Sequence, residues 1–112
     1  MDIENKDRIT RIRDLNDAFS RTFSRGRVML TRGVCVADMM KARALQLVRV
    51  FDNFSEDNDP HGEHDFGSFE LADRKFFWKI DYYDERCEFG SEDPSDPKRT
   101  TRVLTLMLAS EY

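Results

Sequence analysis

A chain of 112 residues, 39% apolar and 12% aromatic, can bury a core of its own; this excludes global disorder and sets one domain over residues 1–112 as the expectation. Charged residues reach 36%, against roughly 25% in typical globular proteins, so the surface is densely charged. No apolar run approaches the ~18 residues that span a bilayer, and the polar start Met1-Asp2-Ile3-Glu4-Asn5-Lys6 lacks the apolar stretch of a signal peptide; the cytoplasm is the expected location.

The net charge of −4 is unevenly spread. Residues 1–50 hold 11 Lys/Arg and 6 Asp/Glu, a net of +5, whereas residues 51–112 hold 7 and 16, a net of −9. Such a split suits a polarised molecule that shows an acidic face to a basic partner. Cys35 and Cys87 form no Cys-x-x-Cys pair, have no histidine nearby in sequence, and read as ordinary small residues.

In chain order, residues 5–24 predict an amphipathic helix. Ile9, Ile12, Leu15, Phe19 and Phe23 form one stripe, Asn5 caps the start and Gly26 stops the end. Arg8, Arg11, Arg13, Asp14 and Asp17 occupy the other face; a solvated face with Asp partners explains those arginines better than direct nucleic-acid contact. Arg27 to Val34 predicts a short strand bounded by Gly26 and Gly33. Residues 38–54 predict a second helix, capped by Asp38, with Met40, Ala44, Leu47, Val48, Phe51 and Phe54 as its buried stripe.

Ser55 to His64 is a loop rich in Asn, Asp, Pro and Gly. Residues 65–71 and 76–83 predict a β-hairpin. With Leu71 opposite Phe76, Phe69, Leu71, Phe76, Trp78 and Ile80 share one face, and Ser68, Glu70, Phe77, Lys79 and Asp81 the other. A second polar loop runs from Asp84 to Asp96. Asp96-Pro97 then opens a helix over 97–110 through Val103, Leu104, Met107 and Leu108, with a strand through Val103-Leu104-Thr105-Leu106 as the rival. The expected fold is α+β, order α-β-α-β-β-α: about three helices on a small antiparallel sheet built around the aromatic hairpin.

No complete catalytic motif is present: there is no phosphate loop, nucleophile elbow or dinucleotide fingerprint. His61 and His64 lie in one acidic turn. In the hairpin register above, His64 falls opposite Tyr83 with Asp81 diagonal to it. His61, His64, Glu63 and Asp81 are therefore the candidate ligands of a divalent metal, set against a plain structural turn in which acids and histidines satisfy backbone donors. The candidate interaction surface comprises Asp57, Asp59, Glu63, Asp81, Tyr83, Asp84, Glu85, Glu88, Glu92 and Asp93. Tyr82 is placed in the core, its hydroxyl reaching water.

Taken together, Gly26-Arg27-Val28-Met29-Leu30-Thr31, Asn58-Asp59-Pro60-His61-Gly62-Glu63-His64-Asp65-Phe66-Gly67, Phe77-Trp78-Lys79-Ile80-Asp81-Tyr82-Tyr83-Asp84, Thr101-Arg102-Val103-Leu104-Thr105 and the closing Glu111-Tyr112 resemble a family catalogued as domain of unknown function 3768. The resemblance covers nearly the whole chain from Ile9 onward. Asp73-Arg74 stands where a glycine turn is commoner, and Cys35-Val36-Ala37 where proline is commoner. The resemblance implies an alphaproteobacterial protein of plasmids and other mobile elements. Small acidic proteins of that setting often inhibit a host defence system, which implies an anti-restriction or anti-CRISPR role without transferring any residue's function. Two functions are thus expected: a non-catalytic binding protein whose acidic loops meet a basic nucleic-acid-binding surface, or a metal-dependent hydrolase at His61, Glu63 and His64.

Overall fold

A computed structural model describes residues 3–35 and 38–112, without the side chains of residues 3–6 and 38; the first helix already runs from Ile3, so Asn5 lies inside it and does not cap its start, and any cap bond of the Asp38 side chain lies outside what is described. The elements are α1 (Ile3–Thr22), β1 (Gly26–Leu30), the short α2 (Arg32–Cys35), α3 (Asp38–Arg49), β2 (Phe66–Leu71), β3 (Arg74–Tyr83) and β4 (Thr101–Leu108), closed by a 3-10 turn, Ala109–Glu111. The four strands form one sheet in the order β1-β4-β3-β2. The α+β class with a small sheet holds. The sheet is mixed rather than antiparallel, because β1 runs parallel to β4.

The largest departure from expectation is the last element. Residues 101–108 form a central strand, paired with β3 on one side and β1 on the other. A short apolar run carries both periodicities, and here the two ladders decide. Arg102, Leu104 and Leu106 alternate into the helix side with Phe76, Trp78 and Ile80, and all six are buried. Phe19 of α1, Val34 of α2, and Ala44 and Val48 of α3 complete this core.

The other predicted boundaries shift for local reasons. β1 ends at Leu30, and Val34 belongs to α2, because the Thr31 carbonyl accepts the N–H groups of Val34 and Cys35 while the Glu111 carboxylate accepts that of Gly33 at 2.9 Å. A Cβ at Gly33 would lie 2.6 Å from a Leu108 methyl and 2.7 Å from the Glu111 carboxylate, so both side-chain ends would have to shift. Helix α3 stops at Arg49, yet Phe51 and Phe54 still reach the core from the following loop and pack edge-on to Trp78.

In the hairpin, Leu71 pairs with Arg74 and Phe69 with Phe76, two positions tighter than expected. The tight turn is Ala72-Asp73, both at positive φ (52° and 62°), the backbone of a type I′ turn. A shift of two keeps every side chain on its expected face. It does remove the expected pairing of His64 with Tyr83. His64 precedes β2, and the Ile80 N–H donates instead to the Asp65 carbonyl. On the helix-free side of the sheet, Phe66, Phe77 and the closing Tyr112 ring form an aromatic cluster with centroids 5.3–6.1 Å apart. No described helix is long and apolar enough to cross a membrane.

Candidate functional site

The histidine turn is held from within by Asp59, which is 8% exposed. Its Oδ1 accepts the backbone N–H groups of Glu63 and His64, each at 3.1 Å, as a short acidic side chain does when it organises a turn. That turn, with His64 at φ 57°, aims the imidazole at α1. His64 Nδ1 lies 2.9 Å from Asp17 Oδ1, its Nε2 lies 3.7 Å from Asp59 Oδ2, and its ring stacks on Phe54 at 3.9 Å.

Beside it runs a buried polar chain. Asn16, 0% exposed, donates from Nδ2 to the Glu63 carbonyl (3.0 Å) and to the Tyr82 hydroxyl (2.8 Å), and its Oδ1 accepts from Arg102 Nε at 2.7 Å. Tyr82 in turn donates to Glu63 Oε1 at 2.7 Å. Burial, then the bond to Glu63, pushes the Tyr82 phenol well above its ordinary range, so it stays a donor and not a base. Burial also lowers the Arg102 guanidinium, which lies over the Tyr82 ring and donates to the Pro94 carbonyl. Each polar group is answered by another, which fastens α1, the histidine turn, β3 and β4 to one another. Asp65 lies beside this chain: burial, then Glu63, raises its carboxyl above the ordinary range and outweighs the bond from its own backbone N–H.

The four candidate metal ligands are not gathered. His61 is exposed, His64 faces Asp17 and Asp59, Glu63 receives Tyr82, and Asp81 pairs with Lys79 at 3.1 Å. Among the described residues no group of three or more His, Cys, Asp or Glu is placed to hold a metal ion. A hydrolase built on this turn would first have to break these bonds.

The acidic surface candidates divide by what they already hold. Asp59 and Glu63 belong to the turn and the buried chain. Asp84 Oδ1 accepts the N–H groups of Arg86 and Glu88. Asp93 binds Ser95, which holds its carboxyl below the usual range, and lies 3.7 Å from Arg8. Tyr83 sits in the sheet, bridged to Gly90. Asp57, Glu85, Glu88 and Glu92 remain exposed, Glu92 with Arg99 at 3.1 Å. Among them stands a residue outside the sequence-based candidates, Phe89, which is 71% exposed. Its loop is ordered by its own backbone: Asp84 N–H donates to the Phe89 carbonyl and Ser91 N–H to that of Tyr82. Phe89 lines a shallow depression of about 420 Å³ with Asp84, Glu85, Arg86, Glu92 and Arg99. A phenylalanine between Glu88 and Gly90 was the available signal, since nothing in a polar loop gives such a ring a core to enter.

A family model described as "Protein of unknown function (DUF3768)" matches residues 30–111. No curated protein and no solved structure matches the chain.

Proposed function

We propose, for a chain that belongs to the DUF3768 family of unknown function, a non-catalytic binding role in which the loop over residues 84–92 docks on a basic surface of a partner protein. One observation carries this reading: Phe89 stands exposed on a loop fixed by its own hydrogen bonds, among Glu85, Glu88 and Glu92. With Asp84, those four carboxylates face one cation of the loop, Arg86, a local net of −3. An aromatic anchor within a charged rim is the common anatomy of a binding hot spot, and like charge on the rim selects partners of opposite sign. The best fit is a channel or groove that otherwise holds nucleic acid, whose basic lining the loop would mask. The setting implied by the family resemblance, mobile elements and host defence, makes an anti-restriction or anti-CRISPR inhibitor the specific form of the proposal.

The test compares three baits in an alphaproteobacterial lysate: the parent chain, Phe89→Ser, and Glu85→Lys with Glu88→Lys. The expected result is a nucleic-acid-binding protein retained by the parent and lost from both variants, with all three baits melting alike. Equal retention by the three baits would refute the loop as the docking element.

A further inference from the structure

The C-terminal half of α1 and the segment 97–100 border an open groove of about 710 Å³, a size usual for small-molecule sites. Its floor is apolar, from Leu15, Ala18 and Phe19; its rim is cationic, from Arg21, Arg25 and Lys98; and no carboxylate lines it. The fourth cation that reaches it, Arg102, is already bound by Asn16 and Pro94. The rim cations are differently placed. Arg21 is 65% exposed and forms a long ion pair with Asp17 at 4.0 Å, whereas among the described residues neither Arg25 nor Lys98 has an ion-pair partner.

The backbone beside the groove is unusual as well. Phe23 and Arg25 both adopt positive φ, 58° and 65°, conformations that non-glycine residues hold at a cost and that often mark ligand-binding segments. They turn the chain after α1 so that Ser24 and Arg25 line the groove. Cations near the end of a helix also complement its dipole, but that role needs neither a groove nor an apolar floor.

We propose that this groove binds a phosphate ester of a planar or apolar body, the chemistry of a nucleotide, with the phosphate held by Arg21, Arg25 and Lys98 and the body lying on Leu15, Ala18 and Phe19. Guanidinium forks suit phosphate oxygens, and Arg25 and Lys98, which no carboxylate holds, beside Arg21, which Asp17 approaches at 4.0 Å, favour a dianion over a single carboxylate. The proposal is independent of the acidic loop and of its partner.

Calorimetric titration of the full chain with adenosine monophosphate and with 1-naphthyl phosphate tests it, beside adenosine and inorganic phosphate as probes that each carry half of the chemistry. At least one ester binds, about tenfold or more tighter than either half-probe. Arg25→Ala with Lys98→Ala weakens that ester by about tenfold or more, since charge-assisted bonds are lost, without moving the melting temperature. Ala18→Glu, which sets a carboxylate on the floor, abolishes it. Failure of both esters to bind overturns the proposal. So does inorganic phosphate binding as tightly as the esters, or unchanged affinity in the variants; in that case the cations serve only the end of α1.

Discussion

Asn16 shows how a single polar residue organises a fold. It sits four residues after Ile12 and three before Phe19, on the buried face of α1, where Ser20 is buried too. The sequence-based stripe ran through Leu15 instead, because apolar periodicity records which residues avoid water and passes over a buried amide. The missed signal was a polar residue at an apolar spacing, which calls for partners; those partners, Glu63, Tyr82 and Arg102, come from three distant segments that no local pattern links to it. Asn16→Leu should therefore cost about 2–4 kcal/mol in urea unfolding, since it removes three bonds and leaves the buried Arg102 guanidinium with only the Pro94 carbonyl as acceptor. An unchanged midpoint would show that water satisfies the chain equally well. Asp65 should behave in the opposite way. Its folded-state carboxyl is raised, so the folded protein holds this proton more tightly than the unfolded chain, and ionising it at neutral pH costs stability. Asp65→Asn should raise the melting temperature at pH 7. That gain should shrink as pH falls through the raised folded value and vanish below the ordinary carboxylate range. A gain that persists at acid pH would assign the effect to packing rather than charge.

Among the elements, those with a single repeating period were legible and those shaped by pairing were not. The stripe of α1 and the alternation in β2 and β3 gave the right element types and the right buried face. β4 was not legible as a strand in the same way, because its burial alternates over 101–106 while its residue types do not: the charged Arg102 points inward, and the apolar Val103 and Met107 point the other way, Met107 buried as well. Turn geometry was hidden for a different reason. Nothing in Ala72-Asp73 advertises a type I′ turn, whose preferred residues are Asn and Gly, yet both residues hold positive φ. Replacing them, Ala72→Asn with Asp73→Gly, should stabilise the domain by about 1–2 kcal/mol by relieving that conformation. Chemical denaturation checks this directly, and a loss of stability would mean the two side chains make compensating contacts. At the same end of the sheet, Glu111 binds Thr31, Gly33 and Leu108, so the closing Glu111-Tyr112 of the family resemblance serves to tie the chain's end to α2 and the residue after β1. The histidine segment of the resemblance is accounted for in the same structural way, by Asp59 and His64.

For the whole molecule, folding partly mixes the +5 and −9 halves of the sequence: Arg8 lies 3.7 Å from Asp93, and Lys98 joins Arg21 and Arg25 at the groove. The acidic loop after β3 nevertheless keeps its own net of −3, and no carboxylate lines the groove at the end of α1. The sequence pointed to acidic loops as the surface of interest, but could not say which carboxylates were already spent on turns, since that depends on hydrogen bonds that exist only in the fold. Asp93 is excluded by its bonds to Ser95, whereas Glu85, Glu88 and Glu92 stay exposed, Glu92 in a surface pair with Arg99. The most direct test of the proposed docking loop is the association rate with the recovered partner, measured from ~50 to ~500 mM salt, which shortens the screening length from roughly 14 to 4 Å. The parent chain should associate steeply more slowly as salt rises, with dissociation changing less. Glu85→Lys, Glu88→Lys and Glu92→Lys together should flatten that dependence at an unchanged melting temperature, because exposed substitutions usually cost under ~0.5 kcal/mol each. An association rate indifferent to salt in the parent, or equal salt dependence in the triple variant, would contradict docking through the acidic loop.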